Sequence, residues 1–235
     1  MVMLPRGINK TAIEWCDVTW NPITGCINNC PYCYARRIAT RFAGTPAFPE
    51  GFKPTIHRDR LKAPYYMKGK GNKVFVCSMG ELFMDNVNWT DDVLNTIKGC
   101  PDQTFILLTK QSQNLWQWSP FPDNCWVGVS ATCESEVVDA CRDLCQAQAP
   151  VKFLSIEPLL RWDRHKRMDW FAAALALGRI GWVIIGAQTQ PYRPPARDAV
   201  LEIFHAVDKE GIPLFLKDNL KPLLGTEQLR QEWPE

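Results

Sequence analysis

The sequence lacks a strong net charge, any long hydrophobic run and any internal repeat. Its 27 Lys and Arg residues are nearly balanced by 25 Asp and Glu, which leaves a formal charge of +2 and a pI near 8.0. Such a balance gives no global basic field, so a nucleic-acid-binding surface would have to be local. Residues 1–10 lack the apolar stretch of a signal peptide, and no apolar segment is long enough to span a bilayer. We therefore expect a cytoplasmic protein with no membrane partner.

Cysteine, by contrast, is abundant, with ten residues in a chain of 235. In a secreted protein this number would indicate disulfides, but without a signal peptide we expect reduced thiols or metal ligands. The hydrophobic fraction of 46% is sufficient for a substantial buried core. Neither a disordered nor a fibrous protein fits this composition.

Short apolar, β-branched runs alternate with helix-like segments, which is typical of an α/β fold. Most of the runs are continuously apolar, as strands buried on both faces are in parallel sheets. They lie at 13–20, 74–78, 104–109, 125–130, 151–156, 182–185 and 213–216. Helical spacing occurs at 90–98, 134–148, 168–177 and 197–209.

The number of runs is too small for a closed eight-stranded barrel. We predict an α/β fold: a partial (open) β/α barrel of six or seven mostly parallel strands, formed by a single domain, 1–235. Residues 42–73 are rich in Pro, Gly and charge and are interpreted as an elaborated crossover between the first two strands. Ligands of such folds bind at the carboxyl ends of the strands, so polar residues directly after each run are candidate site residues.

Three cysteines follow the first run on one short loop, Cys26, Cys30 and Cys33, with the spacing C-x3-C-x2-C. Three thiolates can bind three corners of a 4Fe-4S cluster, and the fourth iron then keeps an open site for a substrate or cofactor. Zinc with a fourth ligand elsewhere is the alternative, although no second C-x2-C pair follows downstream. A redox C-x-x-C pair would leave Cys26 without a role.

This loop resembles the signature of the radical S-adenosylmethionine (SAM) superfamily, C-x3-C-x-aromatic-C, with Tyr32 at the aromatic position. Most of the chain also resembles the phage Gp37/Gp68 family of uncharacterised proteins (DUF5131), in the segments 13–26, 78–83, 108–110, 126–130, 153–160 and 233–234. Many members of that family space the cysteines more widely. They also carry a Gly-Gly-Glu-Ser-Gly-type loop after the sixth strand, where this chain has Gly-Ala-Gln-Thr-Gln at 186–190, so the family's substrate does not transfer directly.

The resemblance implies a 4Fe-4S cluster on the three cysteines and SAM chelated to its open iron. It also implies a flavodoxin or ferredoxin as electron donor. Ser78, Gly80 and Glu81 resemble the superfamily's Gly-Gly-Glu motif, in which backbone carbonyls and the acid bind the SAM ammonium. For Glu81, a surface acid at a helix start is the simpler alternative.

Further polar residues follow the next strands. Lys110 follows the third and is suited to the SAM carboxylate, although an exposed lysine explains it equally simply. Ser130 and Thr132 follow the fourth, where the superfamily contacts ribose; they would otherwise cap the helix that begins at Glu134. Glu157 ends the fifth strand among apolar residues, where a carboxylate needs a partner, and we assign it to cofactor or substrate binding rather than to a structural ion pair.

The loops after the last strands are predicted to select the substrate. Gln188, Tyr192, Arg193 and Lys217 can donate hydrogen bonds, and we expect Gln188 and Lys217, with Glu157, to act in catalysis. Arg193 and Lys217 also add positive charge, which suits a phosphate-bearing substrate such as a nucleotide or nucleic acid.

Two local basic stretches, 53–73 and 161–167, bear on nucleic-acid binding. The first interleaves basic residues with Tyr65 and Tyr66, as a surface for a phosphate backbone and stacked bases would, and we expect it to help cover the mouth of the site. A solvated crossover loop is the alternative.

The remaining cysteines are interpreted separately. Cys77 and Cys125 are predicted to be core residues. Cys141 and Cys145, one helical turn apart, could form a second metal site with Cys133, but buried helix cysteines are ordinary.

Three hypotheses result from the sequence. The leading one is a radical SAM enzyme of unknown substrate. The alternatives are a zinc-stabilised nucleic-acid-binding module and a non-catalytic iron–sulfur scaffold.

Overall fold

The fold is taken from a computed structural model, which describes residues 4–85, 88–163, 168–225 and 229–235. In chain order its strands are β1 (Ile8–Lys10), β2 (Val18–Trp20), β3 (Ile23–Thr24), β4 (Thr55–Ile56), β5 (Lys73–Val76), β6 (Thr104–Thr109), β7 (Cys125–Ala131), β8 (Val151–Ile156), β9 (Trp182–Ile185), β10 (Gln188–Thr189), β11 (Tyr192–Arg193) and β12 (Leu214–Leu216). The helices are α1 (Tyr34–Arg41), α2 (Trp89–Lys98), α3 (Glu134–Gln146), α4 (Asp169–Gly178), α5 (Arg197–Lys209) and α6 (Lys221–Leu224). Short 3-10 helices lie at Arg58–Arg60, Ala63–Tyr66, Ser112–Trp118 and Asp218–Leu220.

The central sheet has eight strands in the spatial order β1-β2-β5-β6-β7-β8-β9-β12. Each of the seven predicted runs contributes one strand, and these seven pair in parallel. The eighth, β1, pairs antiparallel with β2 at the edge and was not predicted, because only Ile8 of its three residues is buried. The prediction of six or seven strands is therefore corrected to eight, in a mixed α/β fold.

The sheet is curved and open. The Trp15 ring lies 4.7 Å from the ring of Phe75 on β5 and 6.3 Å from that of Trp182 on β9. Four strand spacings separate β5 from β9, about 19 Å in a flat sheet, so the two strands must bend toward Trp15. In the described part of the chain, the edge strands β1 and β12 do not pair with each other, and no closed barrel forms.

The two faces of the sheet bury different side chains. The concave face is filled by an aromatic-rich cluster, Trp15, Phe75, Ile106, Phe153, Trp182, Ile184 and Phe215. Gly128 is part of this packing, because any side chain there would overlap the Phe153 ring.

The convex face packs against the helices. Because the strand order follows the chain, every parallel crossover advances in the same direction, which places the helices on one face. Helices α2 to α5 occupy the predicted helical segments within one residue at each end, except that α3 ends at Gln146 rather than 148. Within the described ranges, no helix is both long and apolar enough to cross a bilayer.

The crossover at 42–73 has two parts. Its first part reaches the carboxyl edge of the sheet, where β4 pairs with β3. Its last residues lie at the opposite edge, because Gly71 N–H donates to Asp102 O and Gln103 Nε2 donates to Gly69 O just before β6 begins. A parallel strand must start at that edge, so only the first part of the crossover is near the predicted site.

The C-terminal segment covers the β12 edge of the sheet. Leu216 N–H donates to Arg230 O, and Glu232 N–H donates to Leu214 O. The Trp182 indole N–H donates to Glu232 O, and that of Trp233 donates to Trp15 O. The chain end is thereby joined to both the last strand and the concave face.

Candidate active site

A cavity of about 240 Å³ lies at the carboxyl edge of the sheet. Of the predicted site residues, Thr132, Tyr192 and Arg193 do not line it, and it brings together the others, namely Cys26, Cys30, Tyr32, Cys33, Ser78, Gly80, Glu81, Lys110, Ser130, Glu157, Gln188 and Lys217. A second cavity of about 820 Å³ adjoins it and shares Cys30, Tyr32, Lys110 and Ser130. The expectation that residues after successive strands converge is met, because parallel strands end at the same edge.

The cysteine loop is fixed to the loop after β5 through two glycines. Gly25 N–H donates to Met79 O at 2.9 Å, and Glu81 N–H donates to Gly25 O at 3.1 Å. Gly25 has φ +87°, and a Cβ atom there would overlap the Lys53 carbonyl; one on Gly80 would lie 2.9 Å from Gly25 O. Only glycine therefore permits this approach at position 25.

The three thiols on this loop are free and share the cavity wall. Asn28 N–H donates to Cys26 Sγ, and Arg36 N–H donates to Cys33 Sγ, both at 3.3 Å. The second contact makes Cys33 the N-cap of α1. Such amide contacts stabilise a thiolate and orient it as a ligand.

The surroundings of Cys26 keep its thiol protonated when no metal is bound. Burial, with a smaller contribution from Glu81, raises the pKa of Cys26 to about 12, so without a cation this thiol stays protonated at neutral pH. A coordinated metal deprotonates a thiol outright. The set of three soft donors therefore fits an iron–sulfur cluster.

Glu81 does not begin a helix, since α2 starts at Trp89, and the surface-acid interpretation is wrong: the residue is 3% exposed. Its Oε1 accepts hydrogen bonds from Thr109 Oγ1 at 2.7 Å and from Phe83 N–H at 3.1 Å. Its Oε2 accepts from Asn28 Nδ2 at 3.1 Å and from Lys110 N–H at 3.2 Å. Glu81 thus joins the cysteine loop to the ends of β5 and β6.

Lys110 supplies a positive charge beside the cysteine loop. Its ammonium lies 5.8 Å from the centre of the Tyr32 ring and 3.5 Å from Ser130 O. No carboxylate of the described residues pairs with it, so the charge remains available to an anionic group. Ser130 lines both cavities, and its hydroxyl donates to Glu157 O.

Thr132 lies outside the first cavity and lines the second. Its hydroxyl and N–H both donate to Glu136 Oε2, at 2.9 and 2.6 Å. Thr132 therefore does not cap α3, whose N-cap is Cys133 without a side-chain cap bond; it instead holds the Glu136 carboxylate of the first helical turn.

Glu157 is paired with Lys217, whose ammonium lies 2.6 Å from Glu157 Oε1. Glu14 approaches the same ammonium at 3.6 Å. Burial lowers the pKa of Lys217, but the two carboxylates outweigh it and raise the pKa, so the ammonium stays charged. Gly186 leaves the space for this pair, since a Cβ atom there would lie 2.9 Å from Lys217 Cδ and 3.1 Å from Glu157 Cγ.

The β10–β11 hairpin carries the remaining predicted substrate residues. Gln188 is buried, lines the cavity and donates from Nε2 to Pro191 O. Tyr192 and Arg193 are exposed and do not line it. Tyr192 donates from its hydroxyl to Asn219 O, which links the hairpin to the turn after β12.

The described basic residues of the 53–73 stretch do not form a continuous surface at the cavity mouth. Phe52 lines the cavity, but Lys70 pairs with Asp102 at the opposite edge of the sheet. In the second stretch, residues 164–167 lie outside the described residues. Of the crossover, only the part near Phe52 covers the mouth as predicted.

The other cysteines occupy unlike environments. Cys77 and Cys125 are buried, as predicted, and Cys77 also lines the cavity. Cys141 is buried, whereas Cys145 is exposed. Among the described residues, no group of three or more His, Cys, Asp or Glu is arranged to hold a single metal ion.

Four cavity contacts were not predicted from sequence. Glu14 reaches Lys217 across the chain, Asn28 binds Glu81, and Trp15 forms part of the cavity floor. Tyr34 lines the cavity and donates from its hydroxyl to Ser78 O at 2.6 Å. The positions of Asn28 and Tyr34 beside Cys26, Cys30 and Cys33 are the only sequence signal that could have indicated them.

Comparison with known proteins identifies a family but no activity. Searches of curated proteins and of solved structures find no match. The family model described as "Protein of unknown function (DUF5131)" matches residues 10–221. Since this range is most of the chain, the protein belongs to the DUF5131 family.

Proposed function

We propose that this protein is a radical SAM enzyme that binds a 4Fe-4S cluster through Cys26, Cys30 and Cys33. The observation that carries the proposal is that these three free thiols line one cavity at the carboxyl edge of a curved, parallel sheet. When bound, the cluster and SAM would supply reductive cleavage of the sulfonium and a 5'-deoxyadenosyl radical that acts on a further substrate.

The cysteine loop would hold the cluster in a preset orientation. The bridge between Gly25 and Gly80 fixes where the loop leaves the sheet, and amide N–H groups already point at two of the sulfurs. Glu81 holds Asn28, in the middle of the loop, against the end of β6. The ligands are therefore positioned by backbone and buried hydrogen bonds rather than by exposed side chains.

Several side chains have the chemistry to bind SAM. The Lys110 ammonium, with which no described carboxylate pairs, is suited to the SAM carboxylate, and the Ser130 hydroxyl to a ribose hydroxyl. Glu81 has all of its strong acceptor positions directed at protein donors, so we assign it to positioning the loop and the Gly80 backbone. The backbone carbonyls after β5 are then the acceptors for the SAM ammonium.

The far side of the cavity would receive the substrate. Glu157, Gln188 and Lys217 line it there, beyond the side that carries the cysteines and Lys110. Its floor is apolar, with Trp15, Phe75 and Leu108, and such a surface limits the access of water to a reactive carbon.

Anaerobic reconstitution tests the proposal. We expect a brown protein with iron and sulfide in cluster stoichiometry, and release of 5'-deoxyadenosine when SAM and dithionite are added. Changing Cys26, Cys30 and Cys33 together to Ala should remove the colour, while Cys145→Ala, at an exposed thiol, should keep it. A colourless protein with one zinc would contradict the proposal, and a cluster that never cleaves SAM would indicate a non-catalytic scaffold.

A further inference from the structure

The end of the cavity formed by β8, β9 and β12 carries more negative than positive charge. The Lys217 ammonium is shared by Glu157, at 2.6 Å, and Glu14, at 3.6 Å. All three side chains are largely buried, with 12%, 22% and 23% of their surfaces exposed for Lys217, Glu157 and Glu14. One ammonium between two carboxylates leaves one negative charge at this end, where solvent screens it poorly.

Glu157 retains an acceptor that the protein does not use. Its Oε1 accepts from Lys217, while no donor among the described residues reaches Oε2. Glu157 also lines the cavity, and Gly186 on the neighbouring strand end leaves room for its side chain, since a Cβ atom there would lie 3.1 Å from Glu157 Cδ. An acceptor in this position is open to a donor that enters the cavity.

Ser155 supplies an independent sign of a ligand. It is 1% exposed and lines the cavity, and its hydroxyl has no hydrogen-bond partner among the described residues. It lies on the concave face of β8, two residues from Phe153 in the buried cluster and two from Glu157. Buried hydroxyls are normally satisfied, so this one indicates a partner that the protein itself does not provide.

The floor of the cavity is apolar and aromatic. Trp15, Phe75 and Leu108 line it, and the buried indole N–H of Trp15 is also unpartnered among the residues described. Such a floor favours a flat apolar body.

We propose that this end of the cavity is a binding site for a ligand with a cationic nitrogen group, an amine or amidine, on a flat apolar body. The nitrogen group donates to Glu157 Oε2, the Ser155 hydroxyl completes the contact, and the ring lies on Trp15 and Phe75. Naming this ligand as the substrate rests on the proposed function, but its binding does not. The phosphate-bearing substrate expected from sequence is disfavoured here, because the charge of Lys217 is already neutralised and Arg193 does not line the cavity.

Benzamidine is the probe that tests this site, because it joins an amidinium to a flat ring. Calorimetry on the full-length, anaerobically purified protein should show benzamidine binding, with no binding of benzoate or phenyl phosphate. Glu157→Gln should weaken the affinity roughly 10- to 100-fold through the loss of a charge-assisted hydrogen bond. Ser155→Ala should weaken it less, and Glu210→Gln, at an exposed acid, should leave it unchanged.

The proposal would be contradicted if benzamidine did not bind, or if phenyl phosphate bound instead. It would also be contradicted if the Glu157 and Glu210 variants bound benzamidine with equal affinity while their thermal unfolding was unaltered. Competition between benzamidine and SAM would assign Glu157 to the cofactor's own ammonium and would also overturn the proposal. Cluster content and 5'-deoxyadenosine release, measured on the same samples, report separately on the proposed function.

Discussion

Gly25 pairs with Gly80 across a short parallel bridge that joins the cysteine loop to the end of β5. Neither position has room for a side chain, since a Cβ atom on Gly80 would lie 2.9 Å from Gly25 O. The placement of three thiols around one cavity therefore depends on two residues that have no side-chain chemistry.

The first prediction concerns this approach. Gly25→Ala should destabilise the fold more than Gly44→Ala, although both glycines have positive φ, +87° and +83°. Position 44 has open space around the Cβ site, so only the backbone cost of about 1–2 kcal/mol applies there. At position 25 the overlap with the Lys53 carbonyl is added. If urea unfolding gave the same decrease in the free energy of unfolding for both variants, the loop could move away from Lys53 at little cost.

The buried carboxylate of Glu81 leads to a second prediction. Glu81→Ala leaves the Thr109 hydroxyl and three N–H donors without their acceptor, so we expect the free energy of unfolding to fall by about 2–4 kcal/mol. Glu50→Ala, at an exposed acid, should change it by less than about 0.5 kcal/mol. If Glu81 served only to bind a cofactor, the stability of the cofactor-free protein would be the same with and without it.

Features of this site that depend on local sequence could be predicted, whereas contacts between residues far apart in the sequence could not. The parallel strands were predictable because each is a continuous apolar run, and the residues after them converge for geometric reasons alone. The contact between Glu14 and Lys217 was not predictable, because the two residues lie near opposite ends of the chain. The unpartnered hydroxyl of Ser155 could not be seen either, since a sequence does not show which buried groups lack partners. Helix α1 was missed because its N-cap is Cys33, a residue already assigned to metal.

Coupling between Lys217 and Glu157 is the third prediction. A double-mutant cycle with Lys217→Gln and Glu157→Gln, followed by urea unfolding, should give a coupling energy of about 1–3 kcal/mol, because the pair is mostly buried. The pair Lys221–Asp218 is a matched control at 2.9 Å, with 43% and 47% of its side chains exposed. Its coupling should stay below about 1 kcal/mol. Comparable values for the two pairs would mean that solvent screens the cavity as it does the surface.

A fourth prediction follows from Cys141. Burial raises the pKa of this thiol to about 12 from 9.0. The folded state therefore retains the proton more strongly than the unfolded state, and the associated stability is complete below pH 9 and lost as the pH rises toward 12. Between pH 8 and pH 10 the free energy of unfolding should fall by about 1.4 kcal/mol less in Cys141→Ala than in the unmodified protein. Cys145→Ala, at an exposed thiol, should follow the unmodified protein; if Cys141→Ala did so too, its thiol would ionise equally in both states.

The C-terminal segment that pairs with β12 also bears on solubility. A sheet that does not close leaves unpaired N–H and C=O groups on its outermost strands, and such groups template association between chains. Residues 229–235 occupy such groups on β12, since Leu216 N–H donates to Arg230 O and Glu232 N–H donates to Leu214 O. A protein that lacks the last few residues should therefore self-associate through the β12 edge before its cavity changes.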